Sequence, residues 1–335
     1  MHLKQRIIVF SIFLLCVCLY ACEKNSDSTS ASNGTWQTSS GTVSKVDSYP
    51  LYSLTYTADY KFDEFLQTGN IPLYSAAASD YQNFSCTCLS AFGGDTRLFG
   101  RNYDWPEKTA YYIVFTNPDD AYASVSTVDL GFFQYDKSEA PDHPGNQSTL
   151  RVLPYHPFDG INEKGVAVGM NALASAVSPY DASKVTIGEL QLIRLILDYA
   201  ASTQEALELI PQYNIRMEDP PIHYLIADSS GHSAIVEFVS GQMKVMENTQ
   251  PWQVTTNFVI DGLSSYQQAS CWRYRTAHST LEQCGGTLAE SNAFGILESV
   301  SVSGTRWSSV FNLTSGSIQI SMGRNFDDVY SFSVP

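Results

Sequence analysis

The chain is poor in charge, and poorest in positive charge. Only 16% of its 335 residues are charged; 19 Lys and Arg stand against 34 Asp and Glu, for a formal net charge of −15. An acidic surface of this kind argues against nucleic acid and against anionic lipid headgroups as partners. Cysteines are few, seven in all, and none has metal-ligand spacing with His, so no zinc site, other metal or cofactor is expected. The six His residues form no Cys-His-Asn pattern. Walker loops, GxGxxG fingerprints and internal repeats are all missing, which removes nucleotide-binding and solenoid classes from consideration. A long apolar run occurs once, from Ile7 to about Leu19.

That run follows Lys4 and Arg6, with no acid in the first 21 residues. It is too short and too close to the start for an ordinary membrane span and reads as a secretory signal. It ends Leu19-Tyr20-Ala21-Cys22, which resembles a bacterial lipobox with Cys22 as the lipidated residue. Residues 1–21 are therefore expected to be a lipoprotein signal peptide. Residues 22–48, rich in Ser, Thr, Asn, Asp and Gly, are expected to be a lipidated Cys and flexible tether. The expected location is the outer membrane, on the periplasmic or cell-surface side, with the lipid as sole membrane contact.

The whole chain has 44% apolar and 13% aromatic residues, enough for a sizeable core. Ordered structure is expected from Tyr49-Pro50, with a strand over 51–56. Residues 49–85 are read as a pro-segment or small subunit packed on the core, and 86–335 as the catalytic domain. Strand patterns end in Gly or Asp at Leu98-Phe99-Gly100, Val166-Ala167-Val168-Gly169, 224–228 and 234–238. Three helix starts are predicted where Ser or Thr precedes Glu by three: Thr186/Glu189, Ser202/Glu205 and Thr287/Glu290. A fourth helix is predicted over 266–281. Strands return at 307–312, 317–321 and 330–334. The alternation suits an α+β fold in which antiparallel sheets carry helices outside.

Of the cysteines, Cys16 and Cys18 leave with the signal. Cys86, Cys88, Cys271 and Cys284 remain. Cys271 and Cys284 can pair only if the chain turns back between them, since an intervening helix would hold them about 20 Å apart. Cys86 lies in the densest segment: Ser85-Cys86-Thr87-Cys88, a Gly93-Gly94-Asp95 turn, then Gly100-Arg101-Asn102-Tyr103-Asp104-Trp105. A hairpin of this length brings Arg101 and Asp104 near the Cys end. A cationic Arg lowers a thiol pKa and favours the nucleophilic thiolate. Cleavage between Ser85 and Cys86 would give Cys86 an α-amine with a reference pKa of about 7.7–8.0, a usable base beside its own nucleophile.

This pattern of Cys-Thr, a Gly-rich turn and Gly-Arg-Asn-x-Asp-Trp resembles the choloylglycine hydrolase and penicillin acyltransferase branch of the N-terminal-nucleophile hydrolases. The spacing from Cys86 to Arg101 fits the acyltransferase members; Cys88 falls two residues short and stands as the alternative. Asp159-Gly160-Ile161-Asn162-Glu163-Lys164-Gly165-Val166 through Met170-Asn171 resembles the second motif, Thr255-Thr256-Asn257 the third, and Trp272-Arg273-Tyr274 the segment that supplies a late Arg, with Arg275 as its competitor. The resemblance covers about residues 50–335. It implies a four-layer αββα sandwich of two antiparallel sheets with outer helices, and hydrolysis of linear non-peptide amides through a thioester. It implies catalytic roles for Cys86, Arg101, Asp104, Asn171, Asn257 and Arg273, the two Asn in the oxyanion hole. The expected partner is a small-molecule amide: an N-acyl amide, conjugated bile salt or penicillin-like substrate. Acyl transfer to an amine, and a non-catalytic surface binding lipoprotein, are the competing functions; a homo-oligomer is compatible with the sequence.

Overall fold

The computed structural model describes residues 35–70, 85–133, 146–218 and 220–335, all except the side chain of Phe132. The signal, Cys22 and the segment 71–84 lie outside the described residues.

The first described elements are β1 (Thr35–Thr38), β2 (Gly41–Asp47), β3 (Leu51–Tyr56) and α1 (Phe62–Thr68). The Cys86 hairpin follows as β4 (Thr87–Ala91) and β5 (Leu98–Asp104). Next come β6 (Tyr111–Thr116), β7 (Ser124–Asp129), α2 (Gln147–Leu150), β8 (Asp159–Asn162) and β9 (Ala167–Ala172). A helical excursion holds β10 (Thr186–Gly188), α3 (Glu189–Tyr199), α4 (Thr203–Leu209) and β11 (Asn214–Arg216). Then run β12 (Ile222–Ala227), β13 (Ser233–Val239), β14 (Gln242–Glu247) and β15 (Trp252–Thr255). The chain closes through α5 (Ser265–Gln268), α6 (Trp272–Cys284), α7 (Glu290–Ser299), β16 (Thr305–Asn312), β17 (Ser317–Met322) and β18 (Val329–Ser333).

Two sheets face each other. The larger has the order β1-β2-β3-β6-β7-β8-β9-β12-β13-β14, the smaller β15-β4-β5-β16-β17-β18. Period-two alternation divides β4, β5 and β16 of the smaller sheet between two cores. Cys88, Phe99, Tyr103, Trp307 and Phe311 point inward to the core shared with the larger sheet. Their neighbours Leu89, Leu98 and Val310 point outward to Ala277, Leu281 and Leu297 of α6 and α7. On the far side, α3 covers β8 and β9, burying Leu192, Ile193, Ile196 and Leu197. The result is the αββα sandwich expected from the motifs.

Several local expectations are corrected. The polar segment expected to be tether as far as residue 48 contains β1 and β2, because Val43 is fully buried and Trp36 and Val46 pack on the core. β3 runs parallel to β6 over Leu51–Thr55, an exception among the otherwise antiparallel neighbours of both sheets. The helix expected from Thr186 starts at Glu189, since residues 186–188 pair as a strand with 214–216. The Ser202 start holds: its hydroxyl accepts from Glu205 N–H at 3.1 Å. The third helix starts at Glu290 with Ala289 as N-cap, and Glu290 instead accepts from Asn312 at 2.7 Å. The fourth predicted helix is broken into α5 and α6 at residues 269–271.

Candidate active site

The site forms where the β4–β5 hairpin meets β9, the end of β15 and the first turn of α6. The ladder sets Cys88 opposite Arg101 and Thr87 opposite Asn102, so alternation puts Cys86, Cys88, Arg101 and Tyr103 on the inward face. Cys86 sits at the mouth of the hairpin, 2% exposed, with its Sγ 4.0 Å from the main-chain oxygen of Asp104.

Two residues distant in sequence converge on Cys86. Its N–H donates to Asn257 Oδ1 at 2.5 Å. Arg273 donates from Nη1 to the Cys86 carbonyl and to Thr87 Oγ1 (3.1 Å), and from Nη2 to Asn257 Oδ1 at 3.0 Å. The Asn257 amide nitrogen is engaged with the carbonyl of Ala172 at 2.7 Å. Asn257 therefore presents an acceptor to the Cys86 nitrogen, while one of the two N–H donors of its amide is engaged by Ala172. Asn171 also offers a donor: its Oδ1 accepts from Thr255 Oγ1 at 2.6 Å, while its buried Nδ2 has no hydrogen-bond partner among the described residues.

Asp104 is 2% exposed; Oδ1 accepts from Thr305 Oγ1 at 2.5 Å and Oδ2 has no hydrogen-bond partner among the described residues. Burial pushes its carboxyl up to about 7, against the downward pull of Thr305, Arg273 and Arg101. The free oxygen is a ready acceptor for an amine.

Arg101 is fully buried and stands opposite Cys88, near the Cys end of the hairpin. One guanidinium nitrogen serves Asp159 Oδ2 at 2.6 Å and the Phe158 carbonyl at 2.7 Å. Asp159 is held in turn by Thr127 Oγ1 at 2.5 Å and Trp307 Nε1 at 3.1 Å. Arg101 was expected to lower the Cys86 thiol. It does pull that way, but burial is larger and leaves the thiol raised in the intact chain; Asp104 adds to the rise. A thiol away from solvent loses more by ionising than one nearby cation returns.

Cys88 packs against β9, with Sγ 3.9 Å from the Met170 carbonyl, and burial pushes its thiol up to about 12. It is a core residue. Tyr103 and Trp105 are also buried, with Tyr103 stacked on Trp307 at 4.0 Å between ring centroids. Cys271 and Cys284 are free and sit at opposite ends of α6, which rules out the disulfide between them. Sequence reasoning assigned no role to Thr87, Thr255, Thr305 or Asp159, each of which holds a site residue. Thr87, Thr255 and Asp159 lie in motif segments, which is the only signal they carry; Thr305 lies in none.

A family model for linear amide C-N hydrolases of the choloylglycine hydrolase family matches residues 86–283. The chain belongs to this family. A bile salt hydrolase/transferase of Lactiplantibacillus plantarum is 28% identical over 203 residues, 55% of this chain and 58% of that protein. A penicillin V acylase of Pectobacterium atrosepticum is 32% identical over 113 residues, 30% of this chain and 29% of that protein. The chain thus matches less than two thirds of either relative's length. Among solved structures, a mutant conjugated bile acid hydrolase from Clostridium perfringens superposes with TM-score 0.55 at 16% identity, covering 74% of this chain and 92% of that one. A penicillin V acylase from Agrobacterium tumefaciens gives 0.57 at 18% identity, covering 74% and 86%. These choloylglycine hydrolase relatives share the two-sheet N-terminal-nucleophile fold.

Proposed function

We propose that the protein is an amidase that cleaves linear non-peptide C–N bonds with Cys86 as nucleophile, after the bond between Ser85 and Cys86 has been broken. The observation that carries this reading is the convergence on Cys86. Its N–H and carbonyl are held by Asn257 and Arg273, and two buried polar atoms on β5 and β9, Asp104 Oδ2 and Asn171 Nδ2, have no hydrogen-bond partner among the described residues. The family match beginning at residue 86 supports the same start.

Scission begins with Cys86 Sγ attacking the Ser85 carbonyl carbon; the amide nitrogen leaves as the α-amine, and water hydrolyses the thioester to a Ser85 carboxylate. The new amine stays with Asn257 Oδ1 and faces Asp104 Oδ2. In turnover the amine takes the thiol proton, and the thiolate attacks the substrate carbonyl. Asn171 Nδ2 donates to the oxyanion, a contribution of about 3–4 kcal/mol for a good donor. The C–N bond breaks, the leaving amine takes the proton from the α-ammonium, and the amine then activates water to release the acid. Arg101 and Arg273 supply the positive charge that offsets thiol burial.

The substrate is an N-acyl amide of the penicillin-like or conjugated bile salt kind. The wild type releases free amine from penicillin V or from a glycine-conjugated bile salt, and Cys86→Ala does not. Equal release by both proteins sinks the reading; a folded, uncleaved wild type that binds without turnover favours a binding lipoprotein. Added hydroxylamine separates acyl transfer from hydrolysis, because transfer yields a hydroxamate. The N-terminal pattern ending at Cys22 supports an exported lipoprotein of the outer membrane; loss of labelled fatty acid in Cys22→Ala is the test, and label retained in that variant refutes it.

A further inference from the structure

The turn that carries Asn257 is held from below by a buried pair that neither sequence reasoning nor the family motifs single out. His223 lies on β12 directly opposite Asn171 of β9. Its Nδ1 is 2.9 Å from Glu237 Oε1 on β13, and its Nε2 is 2.7 Å from the Thr256 carbonyl, one residue before Asn257. Glu237 reaches the far side of the same turn: Oε1 accepts from Ile260 N–H at 2.8 Å and Oε2 from Asp261 N–H at 3.0 Å. Both side chains are fully buried. The two residues therefore bracket Asn257, gripping the main chain at 256 and again at 260 and 261.

The partners of the ring fix its charge. A main-chain carbonyl can only accept, and a carboxylate that already receives two N–H groups is an acceptor too. A neutral imidazole has one N–H and can satisfy one of them; the imidazolium satisfies both. Burial pushes the Glu237 carboxyl up, but the His223 hydrogen bond and charge, with the N–H groups of Asp261 and Ile260, leave it below its usual value. A paired charge of this kind is costly to break and specifies one arrangement of what it grips.

We propose that His223, as an imidazolium paired with Glu237, is a positioning residue that sets Asn257 against the Cys86 amine. The inference rests on the proposed amidase reading. It touches no substrate: its effect passes through the turn to Asn257 Oδ1, which holds the nitrogen that serves as base. Displacing such a group by about 1 Å costs on the order of a hundredfold in rate.

The test is steady-state hydrolysis of penicillin V by the processed parent, His223→Gln, Glu237→Gln and the double variant, with melting temperatures measured alongside. His223→Gln keeps a donor for Thr256 and removes the charge. The expected result is a kcat lowered about 10- to 100-fold with KM within about twofold, in proteins that stay folded, and a double variant no worse than the singles because the pair acts as a unit. Glu237→Gln carries the test if His223→Gln fails to fold. Unchanged kcat in a folded single variant, or losses that multiply in the double, overturns the inference. A parent that hydrolyses no amide removes the underlying amidase reading and the inference with it.

Discussion

Replacing Asn171 by Ala separates catalysis from stability with unusual clarity. The Asn171 amide nitrogen is buried and has no hydrogen-bond partner among the described residues, so its deletion breaks no protein hydrogen bond at that atom. The other end of the side chain does have a partner: Thr255 Oγ1 donates to Oδ1 at 2.6 Å. Removing it leaves a buried hydroxyl unpaired, at about 1–3 kcal/mol of stability. The catalytic cost is larger and of different origin. An oxyanion donor acts only once the carbonyl becomes tetrahedral, so its loss lowers kcat and kcat/KM together, by about 10²–10³-fold. The assay is release of amine from penicillin V by processed enzyme over a range of concentrations, with the folded fraction measured by circular dichroism. Asn171→Asp is expected to be at least as poor, since it places an acceptor where charge develops. A kcat within about threefold of wild type, or a loss carried wholly by KM, would refute the oxyanion assignment.

Four further outcomes follow from the geometry. Asp104 sits at about 7, raised chiefly by burial above its usual 3.8, so the folded chain holds a proton that the unfolded chain loses between those values. Stability contributed by this group therefore falls as pH rises from about 4 to 7; denaturant melts of wild type and Asp104→Asn should diverge across that window, with the variant gaining, and parallel curves would contradict it. Leu54 of β3 is fully buried beside β6, so Leu54→Ala should cost about 2–5 kcal/mol and release the fragment ending at Ser85 from cleaved protein more readily on gel filtration. A thiol reagent should label partly exposed Cys271 in the folded, uncut chain and leave buried Cys86 and Cys88 unlabelled until denaturation. Arg273→Lys should slow both scission and turnover, read by gel and by amine release, because a single ammonium cannot serve Cys86, Thr87 and Asn257 from a planar fork.

The hairpin was legible because its information is local: a thiol, a Gly-rich turn and an Arg-Asn-x-Asp strand lie within twenty residues or so. The order of the later motifs carried the two Asn and Arg273 to the same place. What the chain did not disclose depends on distance or on burial. Thr305 holds Asp104 across 201 residues of sequence, and His223 reaches Thr256 across 33. The sign of the Arg101 effect on the thiol could be read from its charge, whereas the larger opposing effect of burial depends on packing from both sheets. That the oxygen end of the Asn257 amide faces the Cys86 nitrogen is set by Ala172 and Arg273 together. Residues 35–47 look like tether by composition, yet Trp36, Val43 and Val46 are spaced to bury one edge of a sheet.

The central claim is that a nucleophile and its base are created together at Cys86. Intact-mass measurement, before and after a brief acid-quenched incubation with penicillin V, tests it most directly. The account predicts a fragment starting at Cys86 and, after incubation, the same fragment carrying the acyl group, with neither species in Cys86→Ala. A single uncut chain that nonetheless hydrolyses the amide, or an acyl group carried on another residue, would contradict it.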